Sequence, residues 1–192
     1  MNILETIKVE NGEVFNLEYH QKRFDRTRFE LFNSKNSIDL CSLLDIPKKG
    51  LFRCRIIYSK DIQSIEYIPY KPKVINSLKV VASDISYDYK YLNRDNLNFL
   101  LEQNANFDEI IIEKRGYITD TTISNIAFYD DSYKQWFTPE KPLLRGTMRE
   151  KLLNSGFLQL KNIESSKILS YKKVALMNAM IGFKIINPTI ER

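Results

Sequence analysis

The chain has little of several residues that mark particular protein classes. Among 192 residues there are only six glycines and six prolines, too few for a collagen-like or low-complexity protein. Two cysteines, Cys41 and Cys54, have no metal-ligand spacing and are too few for a disulfide scaffold. They indicate a reducing, cytoplasmic setting. The single histidine, His20, excludes a histidine-rich metal site and argues against a Ser/His/Asp triad, so we expect no metal.

The chain also lacks long apolar runs and dense basic stripes. No stretch approaches the ~20 apolar residues of a membrane helix, and Glu5 and Glu10 make the first ten residues unlike a signal peptide. Lys and Arg number 29 against 24 acidic residues, a net charge of +5 that suits phosphorylated or carboxylated small molecules. Because basic residues form no run longer than two, a nucleic-acid module is only the last alternative, and neither nucleic acid nor membrane is an expected partner.

What remains is typical of an α+β protein, since hairpins and helices mix without regular β-α-β alternation. Alternation over residues 4–9 followed by Asn11-Gly12 predicts a hairpin, with Asn16 as the cap of a helix from Leu17. Further strands are predicted at 51–58, 62–69, 79–82 and 183–187, and further helices at 39–45, 93–104, 146–154 and 170–180. Between them lie apolar runs at 109–113, 117–119, 123–129 and 135–138. Pro69-Tyr70-Lys71-Pro72-Lys73 is the predicted linker.

Lys90 lies among aromatic residues, in Tyr89-Lys90-Tyr91. A lysine that loses solvent is disfavoured as an ammonium ion and can become a nucleophile or Schiff-base former. The alternative is a surface lysine whose stem covers the tyrosines.

Two other segments carry small polar residues in places that suit a ligand. Residues 116–125 place Thr, Asp, Ser and Asn between apolar residues, which indicates either a ligand-facing edge or a hairpin with its polar residues in water. Gly146 and Thr147 open a helix after a loop, where free N–H groups and the helix dipole favour a phosphate. A plain helix start is the alternative.

Together these segments resemble the class IV pyridoxal-phosphate (PLP) enzymes, which include branched-chain and D-amino acid aminotransferases and 4-amino-4-deoxychorismate lyase. The resemblance covers nearly the whole chain in the right order, through residues 5–12, 17–23, 90–94, 108–112, 116–125, 138–139, 144–149 and 178–179. It implies a two-lobed α+β fold, with a small lobe at 1–75, a larger lobe at 76–192 and PLP between them. It also implies a homodimer.

The resemblance implies a role for each matching residue. Lys90 matches the lysine that forms a Schiff base with PLP, and Asp120 matches the acid that pairs with the pyridine nitrogen. Arg23, last in the Tyr-His-x-x-Arg pattern, matches a phosphate-binding arginine, and Gly146 and Thr147 match the helix start that binds the same phosphate. The remaining cofactor contacts are expected at Ser124, Asn125, Asn178 and Ala179.

Two departures from the family pattern stand out. Asp120 occupies a position that is usually glutamate, one methylene longer, and Ala179 replaces a hydroxyl residue that often touches the phosphate. Asn178 or Ser124 is expected to compensate for the second. His20 is expected to be structural.

The resemblance leaves the reaction open, and the lysine motif looks most like that of the lyase. The expected function is therefore elimination of pyruvate from aminodeoxychorismate to give p-aminobenzoate for folate synthesis. Its substrate carries two carboxylates, which Arg53, Arg55 and Arg94 are expected to bind, although Arg53 and Arg55 also fit surface salt bridges. The alternatives are an aminotransferase of branched-chain or D-amino acids and a degenerate, non-catalytic family member.

Overall fold

The computed structural model describes residues 1–192, which form thirteen strands and three α-helices. The mixed, strand-rich content confirms the predicted α+β class. Two compact units are present: residues 1–72 with 89–93, and residues 73–88 with 94–192. The placement of a cofactor between two lobes stays a prediction.

The elements are β1 (Ile3–Glu10), β2 (Glu13–Val14), α1 (Leu17–Phe32), β3 (Leu51–Tyr58), β4 (Ile62–Pro69), β5 (Ser77–Ala82), α2 (Asp95–Glu102), β6 (Glu109–Lys114), β7 (Tyr117–Thr121), β8 (Asn125–Asp130), β9 (Gln135–Pro139), α3 (Thr147–Asn154), β10 (Leu158–Lys161), β11 (Lys173–Asn178), β12 (Gly182–Ile186) and β13 (Thr189–Glu191).

The first unit is an antiparallel sheet in the order β2-β1-β3-β4, with α1 packed against it. Residues Asn11 and Gly12 have positive φ values of 49° and 86°, so the predicted tight turn joins β1 to β2. Alternate residues of β1 and β3 point inward to one core, which also receives Phe24 of α1. The members of this core are Ile3, Ile7, Val9, Phe24, Leu40, Cys54, Ile56 and Tyr58.

The start of α1 differs from the prediction. Asn16 adopts the left-handed conformation (φ 55°), and its side chain does not cap the helix. Its carbonyl oxygen instead accepts the N–H of His20. The short return strand β2 ends two residues earlier, and a left-handed residue turns the chain sharply from the strand into the helix.

The second unit is built on a nine-stranded mixed sheet. The main path runs β10-β9-β8-β7-β6-β5-β13, and β11 pairs with both β8 and β12. Parallel pairs join β13 to β5, β5 to β6 and β9 to β10, and the other pairs are antiparallel. This arrangement brings the ends of β7 and β8, the loop after β9 and the start of α3 to one place.

Two predicted helices are wrong. The segment predicted as helix 170–180 contains strand β11, whose residues from Val174 to Met177 are all buried between β8 and β12. A short apolar run buried on both faces has no helical or strand periodicity of its own. The helix predicted at 39–45 is reduced to a single 3-10 turn at Cys41–Leu43.

The structure contains no cluster of three or more His, Cys, Asp or Glu side chains that could hold a metal ion. None of its helices has the length and apolar character needed to cross a membrane.

Candidate active site

The segment that carries Lys90 lies along the beginning of β1. The N–H of Leu4 donates to the carbonyl oxygen of Lys90 at 2.8 Å, and the N–H of Leu92 donates to Asn2 at 2.9 Å. Lys90 is half-buried, and the rings of Tyr89 and Tyr91 meet edge to face at 5.9 Å. The backbone of the predicted Schiff-base lysine is therefore fixed by a sheet strand.

On the same strand, a carboxylate occupies an inward position. Glu5 lies between Ile3 and Ile7 on the core side of β1 and is completely buried. Its Oε1 accepts the Nε–H of Arg23 at 2.8 Å, and its Oε2 accepts from Nη2 of Arg23 at 2.7 Å. Oε2 also lies 2.6 Å from Nδ1 of His20. Both partners come from successive turns of α1, three residues apart.

The charges of this cluster are set by burial and by these contacts. Burial alone would raise the pKa of Glu5. The charge of the Arg23 guanidinium and the hydrogen bonds from Arg23 and His20 outweigh burial and lower the pKa to about 2. Burial lowers the pKa of His20, Glu5 opposes that shift, and the positive charges of Arg23 and Lys90 add to it. His20 is therefore neutral near pH 7 and donates from Nδ1 to Glu5. It supports the carboxylate in the structural role expected for it.

The first unit thus gathers two of the predicted residues. Arg23 and Lys90 both lie close enough to His20 to lower its pKa. Arg23 spends two of its donors on Glu5 in a bidentate pair, which fixes the plane of the guanidinium.

In the second unit, Asp120 lies at the end of β7 and is 3% exposed. Its Oδ1 accepts Nδ2 of Asn125 at 2.7 Å, and its Oδ2 accepts the N–H of Leu144 at 2.9 Å. Burial raises the pKa of Asp120 to about 6, while these donors and the charge of Arg149 act in the opposite direction. Asp120 is a buried acid that titrates close to neutrality.

The turn between β7 and β8 is held by its own polar side chains. Oγ1 of Thr121 accepts the N–H of Ser124 at 3.0 Å, and Nδ2 of Asn178 donates to Oγ of Ser124 at 3.0 Å. Oδ1 of Asn178 accepts two N–H groups of the turn that follows it, which contains Ala179. Ser124 and Asn178, both predicted to replace the hydroxyl missing at Ala179, therefore bond to each other.

The start of α3 is the third polar feature of this unit. Gly146 is its N-cap residue, in an extended conformation, and Thr147 is its first residue, buried to 2% exposure. A Cβ at position 146 would overlap Oδ1 of Asn125. A side chain at this position would force the end of the Asn125 side chain to move, and glycine leaves the helix N-terminus open, as an anion site needs.

Four buried charged residues were missed by the sequence analysis: Glu5, Arg28, Glu109 and Arg149. Glu109 accepts the N–H and Oγ1–H of Thr122 with Oε1, and its Oε2 has no partner. Arg149 donates from Nη2 to the carbonyl of Pro139 at 2.8 Å. The sequence could have indicated the burial of Glu5, because alternate residues of a strand face the same side and Glu5 alternates with Ile3 and Ile7.

The three predicted substrate arginines lie in different surroundings. Arg53 and Arg55 lie on the face of β3 opposite its core residues, and Arg55 pairs with exposed Glu66 at 3.2 Å. Arg94 donates from Nη2 to the carbonyl of Thr122 at 2.8 Å, and its guanidinium lies 5.9 Å from the ring of Tyr87. Arg94 thus contacts the β7–β8 turn that begins at Asp120.

The second unit also contains a cavity of about 690 Å³ that includes none of the predicted site residues. It lies beside β7 and the loop after β9, which contribute Thr119 and Leu143. Its other lining residues are Ser86, Asp88, Lys114, Arg115, Tyr117, Ile118, Glu140, Lys141, Pro142, Lys161 and Asn162.

The donor set fits PLP. A half-buried lysine suits the aldehyde of PLP, and a buried acid with a pKa of about 6 suits its pyridine nitrogen. The start of α3, where the N-cap residue has no side chain, suits its phosphate. Arg23 adds a permanently charged guanidinium. Lys90 and Arg23 are supplied by the first unit, and Asp120, Gly146 and Thr147 by the second.

Comparison with known proteins shows the family of this chain. The family profile described as amino-transferase class IV matches residues 2–187. A crystal structure from Haemophilus somnus 129PT, provisionally described as a 4-amino-4-deoxychorismate lyase, has a TM-score of 0.83 at 36% identity and covers 94% of this chain and 97% of its own. A Schizosaccharomyces pombe protein, provisionally described as an aminodeoxychorismate lyase, is 27% identical over 75% of this chain and 66% of its own length.

A more distant structure shows the fold with its cofactor. A Mycobacterium tuberculosis protein, described as a hypothetical aminotransferase in PLP-bound form, has a TM-score of 0.77 at 16% identity, covering 98% of this chain and 81% of its own. The match over residues 2–187 spans almost the whole chain. The protein belongs to the class IV aminotransferase family and is a PLP-dependent enzyme.

Proposed function

We propose that the protein is a 4-amino-4-deoxychorismate lyase, which eliminates pyruvate to give p-aminobenzoate. The observation that carries this proposal is the likeness, over nearly the full length of both chains, to the Haemophilus somnus protein of that description. The Schizosaccharomyces pombe relative bears a similar description. The motif Lys90-Tyr91-Leu92-Asn93-Arg94, which resembles the lyase version of the lysine segment, supports the same reaction.

Each predicted site residue has a task in this proposal. Lys90 would hold the cofactor covalently, and Arg23, Gly146 and Thr147 would bind its phosphate. Asp120 would accept a hydrogen bond from the pyridine nitrogen and stabilise its protonated form. The remaining proposed cofactor contacts are Ser124, Asn178 and Ala179, in the two turns at the ends of β7 and β11.

The chain's own proton chemistry centres on Lys90. When bound, PLP supplies an electron sink for the bond that is broken. In the presence of substrate, Nζ of Lys90 would act as a base on the ring proton of the substrate. Loss of that proton and departure of pyruvate leave an aromatic ring, so the elimination is driven by aromatisation. The protonated Nζ then returns its proton to the departing group.

The substrate carboxylates need cationic partners. Arg94 is the candidate that the structure supports best, because one of its five N–H donors is spent on Thr122 and the others remain for a carboxylate. Arg53 stays a weaker candidate beside it, and Arg55, which is paired with Glu66, is weaker still.

The direct test is release of p-aminobenzoate from freshly generated aminodeoxychorismate by protein with its cofactor absorbance in place. The wild type is expected to release it, and Lys90→Ala is expected to release none. Lys184→Ala, which removes an exposed lysine of β12, is the matched control and should retain activity.

Two results would contradict the lyase and point elsewhere. A loaded wild type that releases no p-aminobenzoate would favour an aminotransferase of branched-chain or D-amino acids, which the same cofactor residues also suit. A protein that never acquires cofactor absorbance would favour the degenerate family member and direct attention to Asp120 and Ala179.

The wider setting of the enzyme is part of the same proposal. A lyase that makes p-aminobenzoate serves folate synthesis. The two cysteines form no disulfide in the structure and suit a reducing cytoplasm. We further propose a homodimer, as the resemblance implies.

A further inference from the structure

Asn125 lies at the centre of the polar network of the second unit. It is the first residue of β8, directly opposite Asp120 of β7 in the strand register, and it is 6% exposed. Residues opposite each other in an antiparallel pair project to the same face. The side chains of Asn125 and Asp120 therefore share one buried face.

The amide of Asn125 bridges two acceptors. Its Nδ2 donates to Oδ1 of Asp120 at 2.7 Å and to the carbonyl oxygen of Leu144 at 2.8 Å. The N–H of Leu144 donates in turn to Oδ2 of Asp120 at 2.9 Å. Since the two neighbours of Nδ2 are both acceptors, only the NH₂ end of the amide suits this position. The result is a closed ring of hydrogen bonds through Asp120, Asn125 and the backbone of Leu144.

The other end of the amide packs against the start of α3. Oδ1 of Asn125 occupies the space that a Cβ of residue 146 would need. The same side chain thus touches the acid, the loop and the N-cap residue of the helix that carries Thr147.

We propose that Asn125 is a positioning residue, which holds the Asp120 carboxylate in the orientation that meets the pyridine nitrogen and fixes it relative to the start of α3. This inference rests on the proposed cofactor role of Asp120. It replaces the expectation that Asn125 itself contacts the cofactor. A carboxylate held by a donor on each oxygen cannot rotate about its terminal bond, yet each oxygen keeps a lone pair for a further donor. That restraint matters for an aspartate, which is one methylene shorter than the usual glutamate.

The experiment compares two cofactor probes. One is PLP, and the other is its analogue in which a C–H group replaces the pyridine nitrogen and cannot bond to Asp120. Dissociation constants for both are measured on wild type, Asn125→Ala and the control Thr138→Val. The control removes a buried hydrogen bond from Thr138 to Ile126, in the same unit, without touching Asp120.

Wild type is expected to bind PLP more tightly than the analogue. In Asn125→Ala this preference should shrink by about tenfold, which corresponds to about 1.4 kcal/mol, whereas Thr138→Val should keep it. In an Asp120→Ala background, the further change Asn125→Ala should leave the preference unaltered, because the two residues act through one interaction. If Asn125→Ala does not fold, Asn125→Leu serves instead, since leucine has a similar branched shape and removes the donor without adding a charge beside Asp120.

Two outcomes would overturn the inference in distinguishable ways. Equal losses of affinity for both probes, with the preference intact, would show that Asn125 supports the fold or the phosphate end and not Asp120. A wild type that binds neither probe, or both equally, would remove the cofactor role of Asp120 and the inference with it.

Discussion

Glu5 shows how a single polar residue organises the first unit. Its position on the inward face of β1 would be very costly for an unpaired charge, because a carboxylate loses its hydration there. Arg23 and His20 supply three donors to its two oxygens, so the charge is both neutralised and hydrogen-bonded. The same contacts fix Arg23, the proposed phosphate ligand. Stability and function therefore depend on one carboxylate.

Replacing Glu5 tests this dependence. We expect Glu5→Gln to lower the free energy of unfolding by about 3 kcal/mol, because the Arg23 guanidinium is left buried without its counter-ion. Urea denaturation of the apo protein measures the change. Glu10→Gln is the matched control at the exposed end of the same strand, where its ion pair with Lys8 should contribute less than about 1 kcal/mol. Similar losses in the two variants would contradict the role assigned to Glu5.

Asp120 predicts a pH dependence of the apo protein. The pKa of this acid is raised from 3.8 to about 6 by burial, so the folded state holds the proton more tightly than the unfolded state. The contribution of Asp120 to stability should therefore be greatest below pH 4 and decline as the pH rises through 6. Glu5 has the opposite sign: its pKa is lowered to about 2, and its contribution is lost as the pH falls from about 4.5 toward 2.

The two contributions are separated by comparing variants. The difference in unfolding free energy between wild type and Asp120→Asn isolates the acid, since the amide does not titrate. We expect the unfolding free energy of the wild type to fall relative to that of Asp120→Asn between pH 4 and pH 7, by up to about 3 kcal/mol. A difference that stays constant over this range would show that Asp120 has an ordinary pKa in the folded protein.

At the scale of elements, the local hydrophobic pattern predicted most of the first unit and failed for a strand that is buried on both faces. The hairpin at Asn11-Gly12, helix α1 and strand β3 each have one buried face and one more exposed face. Strand β11 is dry on both faces, and Ala, Leu and Met in its run suggest a helix. Its place between β8 and β12 depends on contacts that are distant in the sequence.

The features of the site also differ in whether the sequence alone can predict them. The ordered motifs predicted Lys90, Arg23, Asp120 and Gly146 as ligands, since a resemblance needs only the residue types and their order. They did not reveal that Glu5 holds Arg23, because that contact depends on the register between β1 and α1.

The start of α3 predicts that a side chain at position 146 is destabilising. Gly146→Ala should lower the free energy of unfolding by about 1–3 kcal/mol, because its Cβ would overlap Asn125 Oδ1 and overpacking forces neighbours to move. The φ of Gly146 is −72°, so backbone strain is not the reason. Cofactor affinity, measured by absorbance titration, should fall as well.

A second-site variant checks the cause. Adding Asn125→Ala to Gly146→Ala removes the overlapping atom, so the double variant should be more stable than the sum of the single effects. Strict additivity would mean that the alanine is harmful for another reason.

Arg94 connects the beginning of α2 to the turn after β7. We expect Arg94→Ala to reduce kcat/KM by tenfold or more, because a cation proposed to bind a substrate carboxylate is lost, while cofactor absorbance is retained. The remaining loss of the bond to Thr122 should cost only about 1 kcal/mol of stability. Spectra recorded beside steady-state kinetics separate the two effects. Disappearance of the cofactor absorbance in this variant would show that the turn, and not the substrate, depends on Arg94.

At the scale of the whole molecule, each unit has its own buried core, yet the proposed ligands divide between them. The core of the first unit surrounds Phe24 and Tyr58, and that of the second surrounds Phe128 and Leu176. The Lys90 segment belongs to the first unit although residues on both sides of it belong to the second. The chain therefore cannot be cut between residues 72 and 73 into two pieces that each keep their site residues.

The assembly of the enzyme is the remaining prediction at this scale. We expect light scattering to give a particle of about twice the 22.7 kDa chain mass, because the proposed enzyme is a homodimer. The free edge of β10 and the side chains of Leu160 and Leu169, both more than half exposed, are surfaces that a partner chain could cover. If folding and association are linked, the midpoint of thermal unfolding should rise with protein concentration. A particle of one chain mass, with a melting temperature independent of concentration, would exclude the dimer and require every residue of the site to come from one chain.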